Sequence, residues 1–175
     1  MKKITDIEKL VQKAQKFSKE KKIDLSSDED LSIAIMNLVS LEEHFFFSGA
    51  KTKKDKYYDL LDQVRQVRKE LLGKIIQEYE GEVWCISKHL LAASMRLIEV
   101  GTKYYSKGEK SQARDFFSKA YDLYSLFWGL NLKLVDTEKI NKIGNNQLNI
   151  HDDNKKSLLA KLGEVVQKII DCCKE

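Results

Sequence analysis

The chain has 175 residues, a net charge of +4 from 31 Lys and Arg against 27 Asp and Glu, and no proline. That length suits one domain able to remove about 70% of its unfolded surface from water, and an apolar fraction of 42% excludes wholesale disorder. Lysines are mixed with acids rather than gathered on one stripe, so the charge does not demand nucleic acid, and no apolar run approaches the roughly 20 residues of a membrane helix.

Average usage would supply roughly nine prolines in such a chain. Their absence lets helices continue, because proline removes a backbone donor and clashes with the preceding turn. Residues 5–22 place Ile7, Leu10, Val11, Ala14 and Phe17 at helical spacing with lysines between them, which predicts a surface helix. The following Asp24 to Glu29 carries a start signal, since Ser26 can accept from the amide three residues on while Glu29 reaches back. A second helix is predicted over 27–48. Its apolar residues, Leu31, Ile33, Ile35, Met36, Leu38, Val39, Leu41 and Phe45 to Phe47, point in nearly every direction round the axis, so it is expected to be central and covered on most sides.

Gly49 and the basic run from Lys51 to Lys56 are expected to end that helix. A third, over 54–80, carries Tyr57, Leu61, Val64, Leu71, Ile75 and Tyr79 on one stripe, with Gly81 closing it. The fourth, over 82–107, shows Val83, Ile86, Leu90 and Leu97 on one side and Trp84, Leu91, Met95 and Ile98 on the other. The fifth, over 109–130, holds Phe116, Phe117, Tyr121, Tyr124, Phe127 and Trp128, and should be a main packing anchor. Periodicity then lapses into a predicted long loop over 131–153. It returns over 154–173, where Leu158, Leu162, Val165, Ile169 and Cys173 form a clean stripe. That last helix must dock on its own bundle or, in a homodimer, on a second copy. The pattern as a whole predicts a single-domain, all-α bundle of about six helices.

Within the fourth and fifth helices, Leu97, Gly101, Tyr104, Gly108, Ala113, Phe117 and Ala120 fall at the spacing of a tetratricopeptide repeat. The stretch from Ser94 to Phe127 resembles one such unit. The resemblance implies an antiparallel hairpin in which Gly101 and Ala120 let the helices approach while Tyr104, Ala113 and Phe117 fill the space between. Ser125 stands where the family usually has proline, and no second copy follows at the same period.

A polar stripe also runs along the fourth helix, through Glu82, Cys85, His89, Arg96 and Glu99. As metal ligands, Cys85 and His89 would need Glu43 or His44 of the second helix to join them. As nucleophile and base, they come without a signature for an oxyanion hole or an orienting carboxylate. The simpler expectation makes Cys85 a small core filler and His89 a rim residue. Glu42 and Glu43 interrupt the apolar second helix, and Arg68 interrupts the stripe of the third. A buried carboxylate is tolerated chiefly when paired, which predicts an ion pair between Glu42 or Glu43 and Arg68 or Arg96. A polar pocket is therefore sought among Glu42, Glu43, Arg68, Cys85, His89 and Arg96. The Arg-to-His spacing of small helical HEPN-type RNases is absent, as is the Glu-x-x-His of ferritin-like di-iron bundles.

These readings predict a non-enzymatic, cytoplasmic binding or scaffold module that holds a protein partner in a helix-lined groove near 94–127, with no cofactor. The rival is a small ligand-binding protein or enzyme using the polar pocket, with or without a metal. Cytoplasmic residence is expected because Cys85, Cys172 and Cys173 are odd in number and two are adjacent, which suits reduced thiols. No membrane association is expected. Lys51, Lys53, Lys54 and Lys56 are the candidates for nucleic-acid contact, a solvated turn being their simpler explanation.

Overall fold

The computed structural model describes residues 6–76, 82–135 and 161–166. All regular structure within them is helical: α1 (Asp6–Lys21), α2 (Leu25–Thr52), α3 (Lys56–Ile75), α4 (Glu82–Ser106), α5 (Lys110–Asn131) and α6, described over 161–166. No described helix is long and apolar enough to cross a membrane.

Local hydrogen bonding moves several of the predicted boundaries. α2 starts at Leu25 because Asp24, not Ser26, is the cap: its carboxylate accepts from the amides of Ser26 and Ser27 at 3.2 and 3.3 Å. At its other end α2 runs past Gly49 to Thr52, and the Lys53 amide turns back to the Gly49 carbonyl at 2.7 Å. Gly49 therefore does not stop the helix. It lets α2 and α3 approach, since a Cβ there would stand 2.8 Å from the Tyr58 ring. α3 ends at Ile75, short of the predicted residue 80, and Ile76 adopts extended backbone with its side chain buried beside Ile75. Tyr79 and Gly81 lie outside the described residues. The predicted loop over 131–153 opens with a turn whose Leu132 and Leu134 are buried, and residues 136–153 lie outside the described set. So do the parts of the predicted last helix before 161 and after 166, with Leu158, Ile169, Cys172 and Cys173.

Two antiparallel hairpins, α2/α3 and α4/α5, make up most of the molecule, and α2 joins them by packing on α4. The short connection from Lys107 to Glu109 includes Gly108 at φ +82°, a left-handed conformation that a Cβ would strain. Gly101 lies so close to α5 that a Cβ would meet the Phe117 ring at 2.6 Å and the Ala113 carbonyl oxygen at 3.3 Å. Ala113 and Ala120 are buried, and Tyr104 stacks on Phe116 with ring centroids 5.1 Å apart. Small residues on both sides thus set the spacing of this hairpin.

The core gathers where α5 meets the rest. Phe127 and Trp128 are fully buried, in edge-to-face contact at 5.2 Å, among Ile35, Leu72, Leu91 and Leu130. α1 lays Ala14, Leu10, Val11 and Phe17 against this cluster. From α6, Leu162, Val165 and Val166 are buried in the same core, so these three side chains are enclosed by their own chain and present no exposed face to a second copy. The Tyr121 hydroxyl donates to the Gly163 carbonyl at 3.2 Å.

α2 is central in connectivity but not covered on most sides, contrary to the expectation from its apolar content. Ile33, Leu41, Phe46 and Phe47 are exposed, Phe47 by 59%. α3 and α4 each pack on α2, yet these apolar side chains remain exposed.

Candidate functional site

α2 and α3 run antiparallel, and this register brings Glu42 opposite Arg65 and Arg68, which sit one turn apart on the same face of α3. Arg68 Nε donates to one oxygen of the Glu42 carboxylate at 2.5 Å and Nη2 donates to the other at 3.4 Å, while Arg65 Nε donates to that second oxygen at 3.0 Å. Glu42 is 8% and Arg68 4% exposed, so the pair is buried; Arg65 is the solvated member. Burial pushes the Glu42 carboxyl up, but hydrogen bonds from Arg68 and Arg65, reinforced by their charges, outweigh it and hold the group below its ordinary value. The carboxylate stays ionised at neutral pH.

One residue on, Glu43 turns about a quarter of the way round α2 and meets Arg96 of α4 instead. Arg96 Nη1 also donates to Glu99 at 2.7 Å, and all three of these side chains are roughly half exposed. The six sequence candidates therefore separate. Glu42, Arg68 and His89 line one recess between α2, α3 and α4, of about 540 Å³. Glu43 and Arg96 form their own bridge beyond that lining. Cys85 is exposed rather than a core filler and is not part of the recess wall. His44 is exposed as well, its ring edge-on to Phe45. Among the described residues no three His, Cys, Asp or Glu side chains converge to hold a metal, so Cys85, His89, Glu43 and His44 do not assemble a site.

Arg65, Lys69 and Lys88 complete the wall of the recess and were missed in the sequence. A signal existed: Arg65, Arg68 and Lys69 recur at three and four residues, so they share a face of α3. Trp84 and Lys88 do the same on α4.

A second concavity of about 300 Å³ lies between α2, α4 and α5. Ile33 and Met36 form one wall, Ile98 the second, and Phe117, Ala120 and Tyr121 the third. Ser32 donates to the Glu29 carbonyl at 2.7 Å, so in its 2.8 Å contact with Tyr124 it is the tyrosine that donates, because a serine hydroxyl has one hydrogen. That bond ties α2 to α5 beneath the groove. Glu29, 6% exposed, is at the groove's edge, and its carboxylate makes no ion pair among the described residues. The run Lys51 to Lys56 forms the exposed α2–α3 turn and lines neither concavity.

Comparison with protein-family models, with curated proteins and with solved structures finds no match for this chain.

Proposed function

We propose that the protein is a non-enzymatic binding module that holds an apolar segment of a protein partner in the groove between α2, α4 and α5. The observation that carries this reading is the groove's wall: Ile33, Met36, Ile98 and Phe117 offer almost no polar atom, yet Ile33, Ile98 and Tyr121 stay exposed around it. Water gains nothing from such a surface, and covering it is favourable by about 25 cal/mol for each Å² of apolar area removed. An amphipathic helix with aliphatic side chains at i and i+4 fits a groove between helices. A Lys or Arg beside those anchors would pair with Glu29, which otherwise lacks an ionic partner among the described residues. The likeness of residues 94–127 to a tetratricopeptide unit supports the same reading, since the hairpin supplies two of the three walls. Cytoplasmic residence belongs to this proposal, on the cysteine argument alone.

The test is capture from a lysate of the source cell, comparing the native chain with Ile33→Asp and Ile98→Asp, each melted alongside. Both positions are exposed, so the variants should fold with native midpoints to within about 0.5 kcal/mol. Partner proteins held by the native chain and lost by both variants support the groove. Equal capture by all three chains refutes it.

A further inference from the structure

We propose that the recess between α2, α3 and α4 binds a small phosphate-bearing molecule, independently of the apolar groove. Its volume of about 540 Å³ falls within the range of about 300–1,000 Å³ typical of small-molecule sites. Four cationic side chains, Arg65, Arg68, Lys69 and Lys88, line it against a single carboxylate, Glu42. That carboxylate is already satisfied by three hydrogen bonds and cannot neutralise the rest.

The donors left over are the ones an anion needs. Glu42 engages Arg65 through Nε only, which leaves both Nη groups as a planar fork matched to two oxygens of a phosphate. Lys69 and Lys88 make no ion pair among the described residues and add two point charges, one from each side of the recess. Arg68 is pinned by Glu42 at 4% exposure, so the floor of the site is rigid before any ligand arrives. Of the rest of the lining, Val39, Trp84 and Ala92 offer an apolar surface for the organic part of the ligand, and His89 completes the wall. An excess of three positive charges suits a group with more than one negative charge better than a lone carboxylate. A recess bounded by three helices also suits a free small molecule better than a strand or a bilayer, for which the exposed lysines of the α2–α3 turn are the more accessible contacts.

Calorimetric titration with inorganic pyrophosphate and with ATP, in metal-free buffer at low ionic strength, tests the proposal. Saturable one-to-one binding is expected. The variant Arg65→Gln/Lys69→Gln/Lys88→Gln should weaken it by about tenfold for each lost charge-assisted contact. A control, Lys51→Gln/Lys53→Gln/Lys54→Gln, removes the same number of charges from the α2–α3 turn and should bind as the native chain does. Both variants leave the Glu42–Arg68 pair in place, and a melting curve of each confirms the fold. The proposal is overturned by absence of saturable binding to either probe, by equal weakening in the control, or by affinity for anionic-lipid vesicles without affinity for the soluble phosphates. Ile98→Asp should not alter pyrophosphate binding, so this result and the fate of the apolar groove are read separately.

Discussion

Replacing Arg68 by alanine separates a buried charge pair from a solvated one within a single cluster. The Arg68 side chain is 5% exposed and Glu42 11%, whereas Arg65, on the same carboxylate, is 45% exposed. Removing one partner of a buried pair costs about 3–5 kcal/mol, because the other charge stays desolvated. Arg65 still reaches Glu42 at 3.0 Å and softens the loss, so the lower end, about 3 kcal/mol, is expected for Arg68→Ala. Arg65→Ala should cost no more than about 1 kcal/mol. At about 2–4 °C per kcal/mol for a chain of this size, the two melting temperatures should differ from the native value by about 6–12 °C and by less than about 4 °C. Replacing both partners, as Glu42→Leu/Arg68→Met, should recover most of the loss, since an apolar pair carries no desolvated charge.

The pH dependence has a definite sign. The Glu42 carboxyl is held below its unfolded value, so the pair's contribution is complete above the unfolded carboxyl range and is lost as pH falls through the lower folded value. Urea midpoints followed by circular dichroism, for the native chain and Glu42→Gln, should therefore converge at acid pH. Arg68→Ala costing no more than Arg65→Ala, or a native-to-Gln difference that persists in acid, would refute the claim that Glu42 and Arg68 form a desolvated pair.

Other substitutions test the packing and the caps. At Gly101, where a Cβ would stand 2.6 Å from the Phe117 ring, Gly101→Val should lose about 1–3 kcal/mol by overpacking, read from the urea midpoint. Gly108→Ala meets no atom within 4 Å yet should lose about 1 kcal/mol to its left-handed backbone. The Ser125 hydroxyl is buried without a hydrogen-bond partner among the described residues, so Ser125→Ala should raise stability by about 1 kcal/mol in the same assay. At the start of α2, burial and, second, the Asp24 charge raise the Asp28 carboxyl. Asp24→Ala removes the acceptor of the Ser26 and Ser27 amides and should lose about 1 kcal/mol, read from the melting temperature.

Much of the candidate chemistry was legible in the sequence as isolated polar interruptions. Glu42 and Arg68 stood out because each breaks an apolar stripe, and a desolvated charge needs an opposite charge nearby. Arg65 and Lys88 did not stand out, because a cation on a helix otherwise rich in lysine looks like ordinary solvated surface. Cys85 misled in the opposite direction: flanked by Trp84 and Ile86, it has the neighbours of a core residue, yet side chains one position apart on a helix point about 100° apart.

The sequence alone determined that the chain folds as helices, and in what order, because the cause is local. Uninterrupted apolar residues at three- and four-residue spacing act between near neighbours, and no proline breaks them. The tertiary structure alone decided which apolar side chains of α2 stay exposed, which arginine meets which glutamate, and that the cations of α3 and α4 face a common recess. Those outcomes depend on how far each helix is rotated about its own axis and how closely its neighbours approach. Contacts between neighbouring helices, such as Gly49 on Tyr58 and Gly101 on Phe117, bear on both quantities, and the periodicity of one helix does not carry that information by itself.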